Sequence, residues 1–165
     1  ITSSSISLEG KTINITKSLP ISEKMILKSK ILMALIIELP FILISDLLFI
    51  IKFTPSITYI IILLLLSIIT IVLSAIIGLL VNLKYPKLNA SSDTEVVKQS
   101  ASSMISVFIG ITIAIISLLG INYFSDKYSL MSLMSINVLI LLIITVILYQ
   151  ILINFGPKEY KKLNA

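Results

Sequence analysis

The chain contains no cysteine, no histidine and no arginine. Without cysteine there is no disulfide framework and no thiol chemistry. Without histidine the commonest general base and the commonest metal ligand are both missing. No pair of catalytic carboxylates with supporting groups stands in their place. No catalytic residue, metal site or cofactor is therefore expected, and the chain is not expected to be an enzyme. Charge is scarce as well. Only 13% of the 165 residues are charged, against about 25% in a soluble domain. Hydrophobic residues make up 57%, and the mean hydropathy is +1.11. This composition excludes a soluble globular domain and a disordered chain. It places the protein in a lipid bilayer.

A spanning helix needs about 20 mostly apolar residues. Four segments meet that length, and they predict an all-α, polytopic membrane protein with spans at about 31–51, 57–81, 104–123 and 130–153. Residues 1–30 precede them as a polar segment, and residues 155–165 follow as a tail. The first span holds Glu38, Pro40 and Asp46. A central carboxylate costs about 2.5–3.5 kcal/mol, and each leucine, isoleucine or phenylalanine returns about 0.3–0.6. The two sides nearly cancel, so this helix should face neighbouring helices or a polar cavity rather than lipid. Pro40 removes a backbone hydrogen bond and is expected to kink it.

All 13 basic residues are lysine, and the net charge is +5. In a membrane protein the distribution matters more than the sum. Eleven lysines fall in residues 1–30, in the middle loop and in the tail, whereas the two short loops between hold only Lys52 and Lys127. The positive-inside rule puts the larger set, and with it both chain ends, in the cytoplasm. The lysine clusters also suit contact with anionic membrane lipid. No nucleic-acid partner is expected. The chain opens on Ile1, in a Ser/Thr/Lys-rich stretch too polar for a signal peptide. A fragment of a longer protein, or a processed product, is the expectation.

Local signals are few. Ser22 reads as the N-cap of a helix that enters the first span. Pro86 stops the second span, and Ser92-Asp93-Thr94-Glu95 forms a capping box whose helix should enter the third. Gly10-Lys11-Thr12 has the ending of a phosphate-binding loop, but Ser5 stands where the earlier glycine belongs. It reads as a turn. Asn14-Ile15-Thr16 and Asn89-Ala90-Ser91 match the glycosylation pattern on the wrong side of the membrane. Glu38 and Asp46 lie about 80° apart around one helix. They could serve a proton or cation path, or simply hydrogen-bond neighbouring helices. Ser102, Ser106, Gly110 and Ala114 form a small-residue stripe suited to close helix packing. Asn137, Thr145 and Gln150 suit interhelical hydrogen bonds.

Two cytoplasmic stretches resemble a known family. Ser7-Leu8-Glu9-Gly10-Lys11 followed by Lys17-Ser18-Leu19-Pro20-Ile21-Ser22 resembles the S-x-E-G-K … K-S-L-P-[IV]-S pattern of ABC-2-type exporter permeases from low-GC Gram-positive bacteria. Pro86-Lys87-Leu88-Asn89 with Glu95-Val96-Val97-Lys98-Gln99 is similar to that family's second loop, with Ala90 in place of its usual tryptophan. The resemblance covers nearly the whole chain. It implies the C-terminal part of a permease in the bacterial plasma membrane, ending naturally near Ala165. The partners it implies are the permease's remaining transmembrane helices and a separate ATP-binding cassette ATPase. By position, Lys17–Lys24 would be the coupling helix that docks on that ATPase through Lys17, Leu19, Pro20, Ile21 and Lys24. An amphipathic segment lying on the lipid surface fits the same residues. Two other functions stay open: an ion- or proton-coupled carrier or channel using Glu38 and Asp46, and a membrane scaffold with no transport role.

Overall fold

Ser22 opens the first long helix as its sequence suggests. Its backbone is extended, its hydroxyl accepts from the Met25 N–H at 3.4 Å, and Glu23 lies in the first turn, where the helix end favours negative charge. The computed structural model describes residues 1–90 and 92–163. The second glycosylation match ends on Ser91 and the tail ends on Asn164-Ala165, so these positions lie outside the described residues. The α-helices run Ile13–Ser18 (α1), Glu23–Phe53 (α2), Ile57–Lys84 (α3), Asp93–Gln99 (α4), Ala101–Phe124 (α5) and Leu130–Lys162 (α6). Two short 3-10 turns, Thr2–Ser4 and Ser7–Thr12, precede them, and no strand occurs among the described residues. Four helices, α2, α3, α5 and α6, lie in stretches long and apolar enough to cross a membrane.

The helix ends follow from their residues. α2 runs through Pro40 as one helix and stops at Thr54, which takes a left-handed conformation (φ 42°) while its N–H bonds the Ile50 carbonyl at 2.9 Å. Pro55 follows and cannot continue the helix. α3 ends at Lys84, just before Pro86. The capping residue Ser92 accepts from the Glu95 N–H at 3.3 Å as expected. The helix it starts does not enter the third span, however. Ser100 is extended (φ −80°, ψ 139°), and its hydroxyl caps a new helix by accepting from the Ser103 N–H at 3.2 Å. The expected single helix is therefore two, α4 and α5. α6 continues past Ile153, through Pro157, to Lys162.

α3 is the central helix. It is apolar all round, as a helix buried among others must be, and it packs against α2, α5 and α6. Ile62, Ile69, Leu73 and Ile77 of α3 meet Val138 and Leu141 of α6 along the membrane interior. Toward the lysine-rich end, Ile76, Leu79 and Leu83 gather Leu27, Ala34 and Leu152. α5 is the outlier: Ser102 is its only buried residue.

For residues 1–9 the sequence predicts no secondary-structure element. They form a strap across the lysine-rich end, packed on α3 and α5, with Thr2, Ser4, Ile6 and Ser7 buried. Gly78 permits this approach. A β-carbon there would overlap Thr2 Oγ1 and stand 2.8 Å from the Ser3 nitrogen. Gly10 makes the expected turn at φ 49°, a conformation that other residues adopt only with strain.

Candidate functional site

Two polar clusters hold the strap. In the first, the Asn82 side chain lies fully buried in the last turns of α3. Its carbonyl oxygen accepts from the Ile6 N–H at 2.8 Å and the Ser7 N–H at 3.2 Å. Its amide donates to Ser7 Oγ at 2.7 Å and Ser102 Oγ at 3.0 Å. One amide thus joins the strap, α3 and the start of α5. Ser100 extends the cluster, its hydroxyl 3.1 Å from that of Ser102. Ser7 Oγ also accepts from the Lys87 N–H at 2.9 Å, and Lys87 pairs with Glu95 at 2.6 Å.

The second cluster centres on Glu9. One carboxylate oxygen pairs with Lys30 of α2 at 2.5 Å, and the other accepts from the Tyr160 hydroxyl of α6 at 2.6 Å. Lys30 also donates to the Ser5 carbonyl at 3.1 Å. Burial, then the Glu9 carboxylate, holds the Tyr160 phenol well above its ordinary range, so it stays a neutral donor. Nearby, Lys161 pairs with Glu23 at 3.1 Å. A backbone hydrogen bond at Glu23 and then the Lys161 contact hold that carboxyl below its ordinary range.

Sequence reasoning missed Asn82, Ser100 and Tyr160. Two signals existed: a lone amide in the last turns of an apolar helix, and Glu9, one of only two acids among the lysines of residues 1–30.

The expected coupling segment is not a helix. α1 ends at Ser18, Leu19 is extended, and the Ile21 N–H donates to the Leu19 carbonyl at 2.7 Å in a tight turn before Ser22. The physical reason is Pro20, which disfavours helical backbone at the residue before it. Lys17–Lys24 is therefore the junction between α1 and α2. Lys17 turns inward. Its ammonium donates to the Lys161 carbonyl at 3.0 Å and to the Leu163 carbonyl, and it lies 6.0 Å from the Tyr160 ring centre. Leu19, Pro20, Ile21 and Lys24 are exposed, with Leu19 at 47%, Ile21 at 42% and neighbouring Met25 at 62%. A cleft of about 490 Å³ opens beside them, between Ile21, Met25 and the Glu9–Lys30 pair.

The two intramembrane acids differ. Asp46 is 7% exposed, and its Oδ2 has no hydrogen-bond partner among the described residues. Glu38 is half-buried. The small-residue stripe serves close packing within this chain at one end only. Ser102 is buried in the Asn82 cluster and Ser106 is half-buried, its hydroxyl bonded back to the Ser102 carbonyl at 2.7 Å. Gly110 and Ala114 are exposed, and a β-carbon on Gly110 would meet nothing within 4 Å. From Gly110 onward α5 stands off α3, and a cavity of about 530 Å³ separates them, with α6 as its third wall.

No curated protein and no solved structure matches the chain. A family model described as a membrane protein of 12 TMs, 12TM_1, matches residues 1–150. That stretch includes the strap, all of α2, α3 and α5, and most of α6. With four helices of membrane-crossing length and apolarity, the chain is a multi-pass membrane protein, and it belongs to the 12TM_1 family of membrane proteins of 12 TMs.

Proposed function

We propose that this chain is part of an ABC-2-type exporter permease, worked by a separate ATP-binding cassette subunit and set in the bacterial plasma membrane with its lysine-rich end in the cytoplasm. The observation that carries this reading is the exposed α1–α2 junction. Leu19, Ile21 and Met25 form an apolar knuckle on an otherwise lysine-rich surface, beside a cleft of about 490 Å³. α2 continues from that knuckle as one helix to Phe53. A push on the junction by an ATPase therefore acts directly on a spanning helix, with no loop between to absorb it. Lys17 is bound to the end of α6, so its role is to brace the junction, and the docking contact falls to Leu19, Pro20, Ile21 and Lys24. The four spans here stand against the twelve in the family description, which supports further helices as partners in the permease.

The test is co-purification of the full-length protein from its native membrane under gentle extraction. An ATP-binding cassette protein is expected with the wild type and lost with Leu19→Asp, Ile21→Asp. Absence of any such ATPase from the wild type would overturn the reading.

Asp46 favours a second reading, an ion- or proton-coupled carrier. A buried carboxylate oxygen without a partner is costly in hydrocarbon and marks an ion path more often than a structural position. On this reading Asp46 takes up a proton or cation in one conformation and releases it in another. Asp46→Asn should then lower proton flux into proteoliposomes by about tenfold or more, the equivalent of about 1.4 kcal/mol in a barrier. Unchanged flux would remove the carrier reading.

A further inference from the structure

The cavity between α3, α5 and α6 carries a reading of its own. Its volume is about 530 Å³, and a second of about 340 Å³ adjoins it between α5 and α6. The two share Ser117 and Asn137 in their walls. Neither side chain has a hydrogen-bond partner among the described residues. Thr70 and Ser74 of α3 face the larger cavity. Their hydroxyls donate to carbonyls of their own helix, to Leu66 and to Ile71, both at 2.9 Å. Each hydroxyl oxygen can still accept. No charged residue lines either cavity.

The shape follows from the Asn82 cluster. Asn82 pins Ser102 to α3 at 3.0 Å, and α5 diverges from that point. The wedge is closed at the lysine-rich end and widens through the membrane interior. A volume of this size lies within the range of small-molecule sites, about 300–1,000 Å³. Its walls select the chemistry. An ionic headgroup would lose its hydration and find no counter-charge. An apolar body would fill the Ile113, Leu141 and Ile121 walls. A neutral head with both a donor and an acceptor would match the Asn137 carboxamide, which offers the same pair.

We propose that this wedge binds an uncharged amphiphile, an apolar-tailed molecule with a neutral hydrogen-bonding head such as a diacylglycerol, held by Asn137 and Ser117. This deepens the export reading and rests on it only in taking the occupant to be cargo. A transmembrane helix fits less well. A helix seat built on Gly110 and Ala114 would be dry, whereas this one is interrupted by two unpaired polar groups and lined by three helices.

The experiment uses full-length protein in nanodiscs, without any ATPase. The probe is diacylglycerol with a diazirine in one acyl chain. Phosphatidylglycerol with the same labelled chain is the comparator, and labelled residues are mapped by mass spectrometry. Diacylglycerol is expected to label Ile113 and Ile121 more heavily than exposed Leu43 of α2, and phosphatidylglycerol is not. Asn137→Leu should cut the labelling of Ile113 and Ile121 by about fivefold, the scale of one hydrogen bond. Asn137→Gln, which keeps the amide, should retain most of it. Equal labelling by both lipids, or labelling no heavier than at Leu43, would mean bulk lipid and overturn the proposal. So would no labelling of α5 at all, which would mean that a helix covers the wedge. Labelling with no ATPase found in co-purification would keep the site and remove the export reading.

Discussion

Replacing Asn82 with leucine should release the first part of the N-terminal strap, around Ile6 and Ser7, from the bundle. The amide carbonyl is the acceptor for two buried backbone donors, the Ile6 and Ser7 N–H groups. Leucine has a similar volume but offers them nothing. Each buried donor left unsatisfied costs about 1–3 kcal/mol. The Ser7 and Ser102 hydroxyls lose a partner in the same step. Water cannot restore these bonds without opening the contact between the strap and Gly78. Local opening is the cheaper outcome, because residues 1–7 can lift away without disturbing α3 while Glu9 stays bound to Lys30 and Tyr160. Hydrogen exchange in detergent micelles is the measurement. Protection of the Ile6 and Ser7 amides should fall by about a hundredfold or more, corresponding to roughly 3 kcal/mol, while the interior of α3 stays protected. Unchanged protection at Ile6 would show that packing alone holds the strap.

Glu9→Ala should be the next most damaging change. Glu9 and Lys30 have side chains only 14% exposed. Breaking a buried pair from one side costs about 3–5 kcal/mol, because the remaining charge is stranded. Lys30 retains the Ser5 carbonyl at 3.1 Å, which places the expected loss toward the lower end of that range. Tyr160 loses its acceptor as well. Urea or thermal titration of Glu9→Ala, Tyr160→Phe and the double variant closes a cycle in which the two effects should not add. The pH dependence has a definite sign. The Tyr160 pKa is raised by folding from its ordinary value of 10.0, so the neutral phenol is the form that stabilises. Its contribution is complete below pH 10 and falls as the pH rises toward the raised folded value. Tyr160→Phe should abolish that alkaline loss, and a loss that persists in the variant would assign it elsewhere.

Much of the scaffold was legible because bilayers impose simple rules. A run such as residues 57–81 can only be buried in lipid or in other helices, and its length fixes the class. Ser22 was legible too, since a serine before an acid and an apolar run satisfies the first helical N–H groups locally. The break at Ser100 was not. No proline or glycine stands between Ser92 and Met104 to mark it, and only the hydroxyl contacts of Ser100 with Ser102 and Ser103 show why a new helix begins. The strap was hidden for a related reason. Thr2, Ser4 and Ser7 look solvated by composition, whereas partners far along the chain allow their burial. Spacing showed that Ser102, Ser106, Gly110 and Ala114 share a face. It could not show that α3 lies against one end of that face and an open wedge against the other. The resemblance places Pro20 within a coupling helix, yet its restriction on Leu19 makes a turn, and that turn exposes the residues proposed to dock.

The strap also sets an order of events during synthesis. Glu9 bonds a tyrosine 151 positions later, and Ile6 bonds an asparagine 76 positions later. Contacts of such separation form slowly, after the intervening chain has been brought together. The strap thus finds its place after the helices that it binds. Ribosomes must deliver Asn82, Ser102 and finally Tyr160 before the strap can settle. Until then the lysines at the beginning of the chain remain at liberty, and closure of this seam marks the moment when all four long helices have come together.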